Sequence, residues 1–440
     1  MKLKQFNIIV SLVLIMFMSA IETTIVSIAL PTMRKDLQPE SSIALVFTIY
    51  FIGIVFAIPL ISEMMARIKV RVITLIGLGF FIGGSLLAGL SNSFELLLFS
   101  RFIQGIGAGV NMSLAQIVPK LAFEIPFRYK VMGIVGSVWG ISSIIGPFIG
   151  GVILEWTTWH WLFFINVPIG VGAILLVLMS YKFHNETIDN PAIDFLGICS
   201  FYFLTGLLMW IITTFQMNWF YAIGLMLLLL GIWGITNYFK KKTRPFIPIR
   251  EFSPVVRLVF ITDLFIAAIL IGFNVFIPSY LQDALNFSPL QSGLIIFPLS
   301  VGWLVINFTL EKIEARLSIK MLYIIAFSIL ALASLSVIIN VYHPIIIAIT
   351  VFLAGMSFGS VYTKDSVLVQ ESVASAQMKK MMSLFTLTRN LGNAIGSTIM
   401  GSVYSLSWSF LHMPIQHVML CIILLIGVLF FLWCQPKRQF

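Results

Sequence analysis

Long apolar stretches alternate with short polar breaks along the whole chain, without the two-residue alternation of membrane β-strands. Most stretches contain about 20 residues, the length that an α-helix needs to cross the hydrocarbon core of a bilayer. The pattern therefore predicts an all-α polytopic membrane protein with fourteen transmembrane helices. The predicted ranges are 6–30, 43–62, 71–90, 94–117, 131–153, 161–181, 193–213, 218–239, 255–281, 290–310, 320–340, 345–370, 380–404 and 415–434.

The composition excludes most other classes of protein. Hydrophobic residues make up 59% of the 440 residues and charged residues only 10%, whereas soluble domains carry about 25% charged residues. This excludes a soluble enzyme, a disordered chain and a small disulfide-stapled domain. The three cysteines form no CxxC pair, so we expect no thiolate metal site. The first apolar stretch carries Glu22 and has no small-residue cleavage site, so we interpret it as a retained helix.

Basic residues mark one side of the predicted membrane layout. With the N-terminus placed in the cytoplasm, 22 of the 27 Lys and Arg residues fall in cytoplasmic segments and only two in external ones. Cytoplasmic loops are enriched in Lys and Arg, so the asymmetry predicts that both termini are cytoplasmic and that the number of spans is even. The net charge of +10 follows from this asymmetry, so we expect no nucleic-acid partner. We expect the densest basic run, Lys240–Arg257, to lie against anionic lipid headgroups of the bilayer.

A weak internal repeat predicts two halves. The turns Met65–Arg71 and Glu314–Lys320 both place Ala-Arg between an even and an odd span. If they correspond, residues 1–190 form an N-terminal six-helix bundle and residues 241–440 a C-terminal one. Residues 191–240 are then an inserted helix pair. Duplicated halves with a binding site between them are a common plan among transporters.

Four motifs carry a resemblance to a known family. Span 1 contains IETTIVSIALP at Ile21–Pro31, and span 4 contains RFIQGIGAG at Arg101–Gly109. Span 5 contains GPFIGG at Gly146–Gly151, and span 6 opens with WHWLFFINVPIG at Trp159–Gly170. On these motifs the chain resembles the fourteen-span drug:proton antiporters of the major facilitator superfamily, which include bacterial multidrug and tetracycline exporters.

The resemblance implies a function, and several alternatives stay open. It implies a bacterial plasma-membrane protein that exports amphipathic antimicrobial drugs by alternating access in exchange for protons, with no cofactor beyond the coupling ion, and we expect a monomer. Coupling to Na⁺ instead of H⁺, or import of a metabolite on the same fold, are the alternatives. No Gly-Lys-Ser/Thr phosphate-binding loop occurs, so ATP hydrolysis by that route is excluded and an ion or solute gradient must supply the energy. No catalytic constellation can be assembled, so we do not expect an enzyme.

Ionisable side chains within spans are costly in hydrocarbon and are therefore candidates for function. Six stand clearly inside spans: Glu22, Arg101, Asp263, Lys364, Asp365 and Arg389. We predict that Glu22 is the coupling acid, which carries a proton in one state and is empty in another. The resemblance implies a coupling role for Arg101, and a fixed ion pair between the two is the structural alternative.

The other candidates divide into coupling, gating and binding residues. Asp263 is predicted to carry a second proton or to attract a cationic drug. Gating is predicted for Lys364 and Asp365, for the basic turn residues Arg67 and Arg316, and for the helix-bending pair Gly146-Pro147. Arg389 is placed with them, and extension of its side chain towards the interface is the structural alternative. A mainly aromatic cavity would suit amphipathic drugs, with the following span residues as candidate lining: Trp139, Phe273, Asn274 and Met356.

Overall fold

The computed structural model describes residues 3–65, 67–124, 127–183, 194–213, 219–242, 247, 249–314, 316–372, 378–406 and 412–435. All regular structure in these residues is helical. The α-helices are α1 Leu3–Leu37, α2 Leu45–Met64, α3 Val70–Gly89, α4 Phe94–Ala122, α5 Phe127–Trp156, α6 Trp161–Phe164, α7 Asn166–Ser180, α8 Phe195–Thr213, α9 Trp219–Lys241, α10 Pro254–Ile271, α11 Ile277–Asp283, α12 Pro289–Glu314, α13 Ile319–Ile339, α14 Pro344–Ser372, α15 Met378–Tyr404 and α16 Pro414–Cys434.

Each predicted span coincides with one of these helices or with two consecutive ones. Helices α6 and α7 together occupy the sixth predicted range, and a π-helical turn at Gly272–Phe276 joins α10 to α11 within the ninth. Within the described residues, ten helical segments are long and apolar enough to cross a membrane, or eleven if a bent pair in α5 counts as one span. The protein is therefore an all-helical polytopic membrane protein.

The helices before and after the α8–α9 pair repeat one packing plan. In the first set, α2 and α3 pack on α4, and α1 packs on α5. In the second set, α12 and α13 pack on α14, and α10 packs on α15. We call the end of the bundle where α1 begins the proximal end and the opposite one the distal end.

Reciprocal glycines bring the backbones of paired helices together at matching places in both sets. A Cβ atom on Gly53 of α2 would meet backbone of α4, and one on Gly105 of α4 would meet the Tyr50 carbonyl of α2. In the same way, a Cβ atom on Gly302 of α12 would meet backbone of α14, and one on Gly355 of α14 would meet backbone of α12. Small residues at such crossings allow the close approach on which helix packing in membranes depends.

Replacing one of these glycines is expected to destabilise the bundle. The Cβ of a Gly355→Ala variant would overlap the carbonyl oxygen of Leu299, so α12 and α14 would have to separate. We expect the melting temperature of the purified protein in detergent to fall by several degrees. Gly79→Ala in α3 is the matched control, because a Cβ there meets nothing within 4 Å and the change gains about 1 kcal/mol of helix propensity. Equal melting temperatures for the two variants would contradict this packing.

Helices α8 and α9 pack on each other and lie at the periphery. In their apolar segments, only 22% of the residues of α8 and 17% of those of α9 are buried in the protein. Their proximal ends are joined by Asp194, whose carboxylate accepts hydrogen bonds from Lys242 at 2.6 Å and Tyr238 at 2.8 Å. The hydrogen bond to Asp194 raises the pKa of the Lys242 ammonium group. Tyr202 of α8 attaches the pair to the first helix set by donating to the carbonyl of Phe56 at 2.7 Å.

Parts of the predicted organisation fall on residues that the structure does not describe. The boundary predicted at residues 190/191 and the turn residues Ala66 and Ala315 lie outside the described residues. The boundary predicted at 240/241 falls one residue before the end of α9.

Candidate functional site

The first polar cluster inside the bundle is centred on Glu22 of α1 and Arg101 of α4. Both side chains are almost completely buried, with 2% and 0% of their surface exposed. The Arg101 guanidinium donates from Nη1 to Glu22 Oε1 and, at 2.5 Å, to Gln104 Oε1, and from Nε to the carbonyl of Val46 at 3.3 Å. The sequence motifs thus predicted two residues that the fold brings into direct contact.

Asn166 completes this cluster from a third helix. The boundary between α6 and α7 lies at Ile165, so Asn166 opens α7, and its Nδ2 donates to Glu22 Oε2 at 2.7 Å. Gln104 in turn donates to Ser85 Oγ of α3 at 2.8 Å. Sequence reasoning did not single out Asn166 or Gln104, although both lie in the quoted motifs, and the three-residue spacing of Arg101 and Gln104 places them on one helix face.

Several polar atoms of this cluster have no hydrogen-bond partner among the described residues: Tyr50 Oη, Arg101 Nη2 and Asn166 Oδ1. The Tyr50 ring also lies 4.2 Å from the guanidinium carbon of Arg101, within cation–π range. Buried polar groups in native proteins nearly always have partners, often water. The cluster therefore has unused hydrogen-bonding capacity around a carboxylate that one guanidinium holds, an arrangement suited to a change of protonation.

A second ion pair joins α10 to α15. Arg389 donates to Asp263 Oδ1 from Nε at 3.0 Å and from Nη2 at 2.7 Å, and its guanidinium carbon lies 4.1 Å from the ring of Tyr362 and 4.9 Å from that of Phe385. Asp263 is completely buried, whereas 32% of the Arg389 side chain is exposed. Arg389 is thus held at depth by Asp263 rather than extended towards the interface.

Asp365 of α14 makes a different kind of contact. It is completely buried, and its Oδ1 accepts a hydrogen bond from the Tyr323 hydroxyl of α13 at 2.5 Å. The Tyr323 ring stacks on Trp433 of α16 at 3.7 Å, and Trp433 Nε1 donates to Thr262 Oγ1 of α10 at 2.9 Å. This chain of contacts links Asp365 to the helix that bears Asp263. Sequence reasoning did not find Tyr323, because no motif relates it to Asp365.

Besides Arg389, three cations were predicted to act in gating, and they lie towards the proximal end. Lys364 pairs with Glu314 of α12 at 3.0 Å and not with its neighbour Asp365. Arg67 pairs with Glu63 one turn earlier, also at 3.0 Å. Arg316 is exposed in the turn after α12. Two of the three predicted cations therefore engage carboxylates at the same end of the bundle.

The residues predicted to line the cavity differ widely in their solvent exposure. Trp139 is exposed, Asn274 and Met356 are half-buried, and Phe273 is completely buried with its ring against that of Phe358 at 5.7 Å. In this conformation Phe273 offers no surface to a ligand, because helix packing covers it. Phe273 and Asn274 lie in the π-helical turn, and such turns are frequent at functional sites.

Helix α5 bends close to the predicted position. Its two segments meet at 42° between Ser142 and Ile145, about one turn before Pro147. Pro147 lacks the donor for that turn, which accounts for the bend. A Cβ on Gly146 would overlap the Thr24 hydroxyl, so the glycine lets α5 lie against α1 two residues beyond Glu22.

Contacts between the two helix sets are prominent at the distal end. Arg34 of α1 pairs with Asp283 of α11 at 2.6 Å, and Gln282 donates to the carbonyl of Ile28 at 2.9 Å. The neighbouring helices α5 and α12 also pack on each other. The distal ends of the two sets are therefore held together.

Comparisons with known proteins agree on the class. The profile of the Major Facilitator Superfamily matches residues 12–397. The chain is 49% identical to the multidrug efflux pump SdrM of Staphylococcus aureus (strain N315), over 98% of this chain and 97% of that protein. It is 26% identical to the multidrug transporter protein MdtP of Bacillus subtilis (strain 168), over 91% and 75%. Its fold matches the crystal structure of a D-xylose-proton symporter with a TM-score of 0.72 and 14% identity, over 98% and 97%.

Proposed function

The chain belongs to the Major Facilitator Superfamily, and we propose that it exports amphipathic antimicrobial drugs from the cytoplasm in exchange for protons, by alternating access. It is a transporter and not an enzyme, as its family and its efflux-pump relatives indicate. Drug export is supported by the 49% identity to a protein described as a multidrug efflux pump, which extends over nearly the full length of both chains. We place it in the bacterial plasma membrane as a multi-pass protein.

The observation that carries proton coupling is the buried contact of Glu22 with Arg101 and Asn166. Three helices contribute to it, and the carboxylate is 2% exposed. An ionised carboxyl at such a place depends on its cationic partner, because an unpaired charge in the interior is costly. Any movement that separates α1 from α4 therefore favours protonation of Glu22, and restoring the contact favours release.

We propose the following exchange cycle around that change. With the distal end closed by contacts such as Arg34–Asp283, drug enters from the proximal end, which the distribution of basic residues assigns to the cytoplasm. The two bundles then rock, the drug leaves at the distal side, and Glu22 takes up a proton there. Return of the bundles restores the pair with Arg101 and releases the proton into the cytoplasm.

The finer architecture belongs to the same proposal. We propose fourteen crossings, in which α2, α4, α5 and α15 span the bilayer beside the ten apolar segments, and α8–α9 are an inserted hairpin between two six-helix bundles. The packing plan shared by the two helix sets and the peripheral position of α8–α9 support it. An even number of crossings places both termini on the same side of the membrane; we propose that this side is the cytoplasm, where the Lys- and Arg-rich loops would lie, and we propose a monomer.

Everted membrane vesicles test the coupling ion and the direction of transport. Vesicles that contain the protein are acidified inside, and candidate cationic compounds are added while a pH-sensitive dye reports the lumen. We expect a transported compound to discharge the proton gradient in sodium-free buffer and to accumulate in the lumen. Discharge only in the presence of Na⁺ would replace H⁺ with Na⁺ as the coupling ion. Loss of the compound from pre-loaded, energised vesicles would indicate import into cells instead.

A further inference from the structure

We propose that Asp365, positioned by Tyr323, is a second proton-binding site that is loaded independently of Glu22. This inference rests on the proposed exchange function and extends it to a residue for which the sequence suggested only gating. It also assigns the role of positioning residue to Tyr323.

The two clusters differ in their balance of charge. Around Glu22 there is one carboxylate and one guanidinium, that of Arg101. The cluster between α10, α14 and α15 contains two completely buried carboxylates, Asp263 and Asp365, and one guanidinium, that of Arg389. With every group ionised, the second cluster would hold an unbalanced negative charge.

Asp365 is the carboxyl with no cation of its own. Both hydrogen bonds that Arg389 donates to a carboxylate go to Asp263 Oδ1. The other nearby cation, Lys364, is paired with Glu314. Among the described residues Asp365 takes part in no salt bridge, although Asp263 and Arg389 lie close enough for their charges to act on it.

The contacts of Asp365 leave one oxygen available for a proton. Its Oδ1 accepts the hydrogen bond from Tyr323, whereas its Oδ2 has no hydrogen-bond partner among the described residues. A completely buried, unpaired carboxylate is costly, and protonation at Oδ2 removes that cost by forming a single O–H bond. Among the described residues, Tyr362, whose ring lies against Arg389, and Glu314, which pairs with Lys364, are further ionisable groups near the cluster.

The surroundings of Asp365 also connect its protonation to Arg389. When Asp365 is protonated, Arg389 needs to balance only Asp263, which is the arrangement observed. When Asp365 loses its proton, the two carboxylates compete for one guanidinium, that of Arg389, whose side chain is 32% exposed. The stacked pair of Tyr323 and Trp433 keeps Asp365 in place during this change.

The two proton sites lie at different depths. Arg101 lies seven residues after the distal start of α4, whereas Asp365 lies seven residues before the proximal end of α14, about 10 Å from that end at 1.5 Å per residue. Opening at the proximal end would therefore expose Asp365 before it exposes Glu22. Two sites of this kind allow more than one proton to move for each drug molecule.

Infrared difference spectroscopy of the purified protein in lipid, recorded across a pH titration, tests the site without any drug. We expect two separate titrating bands of buried protonated carboxyl groups. Asp365→Asn should remove one and Glu22→Gln the other. Tyr323→Phe should keep the Asp365 band and shift its frequency, because the carboxyl loses a hydrogen bond, and it covers the case in which Asp365→Asn fails to fold. Glu40→Gln, at an exposed position, should leave both bands unchanged.

The outcomes separate this inference from the proposed function. Retention of both bands in Asp365→Asn, or an unshifted band in Tyr323→Phe, would overturn the second site. Failure of the everted vesicles to couple protons to drug would overturn the exchange function and leave the carboxyl assignment standing. With both intact, reconstituted Asp365→Asn protein should move one proton fewer per molecule of ethidium, the monovalent cationic probe, than the unmodified protein.

Discussion

A Glu22→Gln protein is expected to lose proton-driven drug exchange down to the level of vesicles without the transporter. The substitution keeps the size of the side chain and one carbonyl oxygen for Arg101 or Asn166, but it removes the group that changes charge. Since the carboxylate is almost completely buried and touches helices α4 and α7, no solvent-exposed acid can replace it. The measurement is discharge of an imposed proton gradient by a transported drug in everted vesicles.

Two further observations make this result specific. Drug binding to the Glu22→Gln protein in detergent should persist but should release fewer protons than binding to the unmodified protein, because residue 22 can no longer exchange one. Glu95→Gln is the matched control, since Glu95 lies exposed in the first turn of α4, six residues before Arg101, and it should keep full exchange. Normal coupled efflux by Glu22→Gln would remove Glu22 from the mechanism and leave its pair with Arg101 as a structural contact.

The positions of the helices could be predicted from the sequence because they follow from hydropathy alone. Each predicted range coincides with helix, since about 20 apolar residues satisfy their backbone in lipid only by forming one. Local departures from regular α-helix were harder to predict. The bend in α5 follows from Pro147, but the π-helical turn at Gly272–Phe276 has no comparable marker in the sequence. Such a turn depends on how neighbouring helices pack, and periodicity carries no information about that.

The sequence predicted which ionisable residues form the polar clusters, but it did not in general predict which of them contact each other. The cost of burying charge singled out Glu22 and Arg101, and the fold joins them. The same argument singled out Asp263 and Arg389 without indicating that they pair, because they lie 126 residues apart in the chain. The neutral side chains that hydrogen-bond to the buried carboxylates were not predicted at all. Tyr323 lies in an apolar helix, and nothing in the sequence indicates that its hydroxyl contacts a carboxylate.

The ion pair also makes a prediction about stability, which concerns Arg101. In an Arg101→Gln protein the Glu22 carboxylate keeps its hydrogen bond from Asn166 but loses its cationic partner, and the Tyr50 ring loses the guanidinium that lies 4.2 Å away. Breaking a buried pair by removing one partner costs about 3–5 kcal/mol, because the other charge stays behind uncompensated. We expect a clear drop in the melting temperature of the purified protein in detergent, and loss of drug-dependent proton movement.

The double variant Glu22→Gln/Arg101→Gln separates lost pairing from lost packing. With no charge left in the cluster, we expect it to be more stable than Arg101→Gln alone, since replacing a buried pair by neutral groups is often close to neutral for stability. Arg257→Gln, at an exposed position in the first turn of α10, is the surface control and should melt as the unmodified protein does. A double variant no more stable than Arg101→Gln would mean that Arg101 stabilises the bundle through Gln104, the Val46 carbonyl and Tyr50, and that the charge on Glu22 is balanced from elsewhere. Recovery of stability without recovery of transport would instead assign the pair to coupling, because only the exchange reaction requires the charge itself.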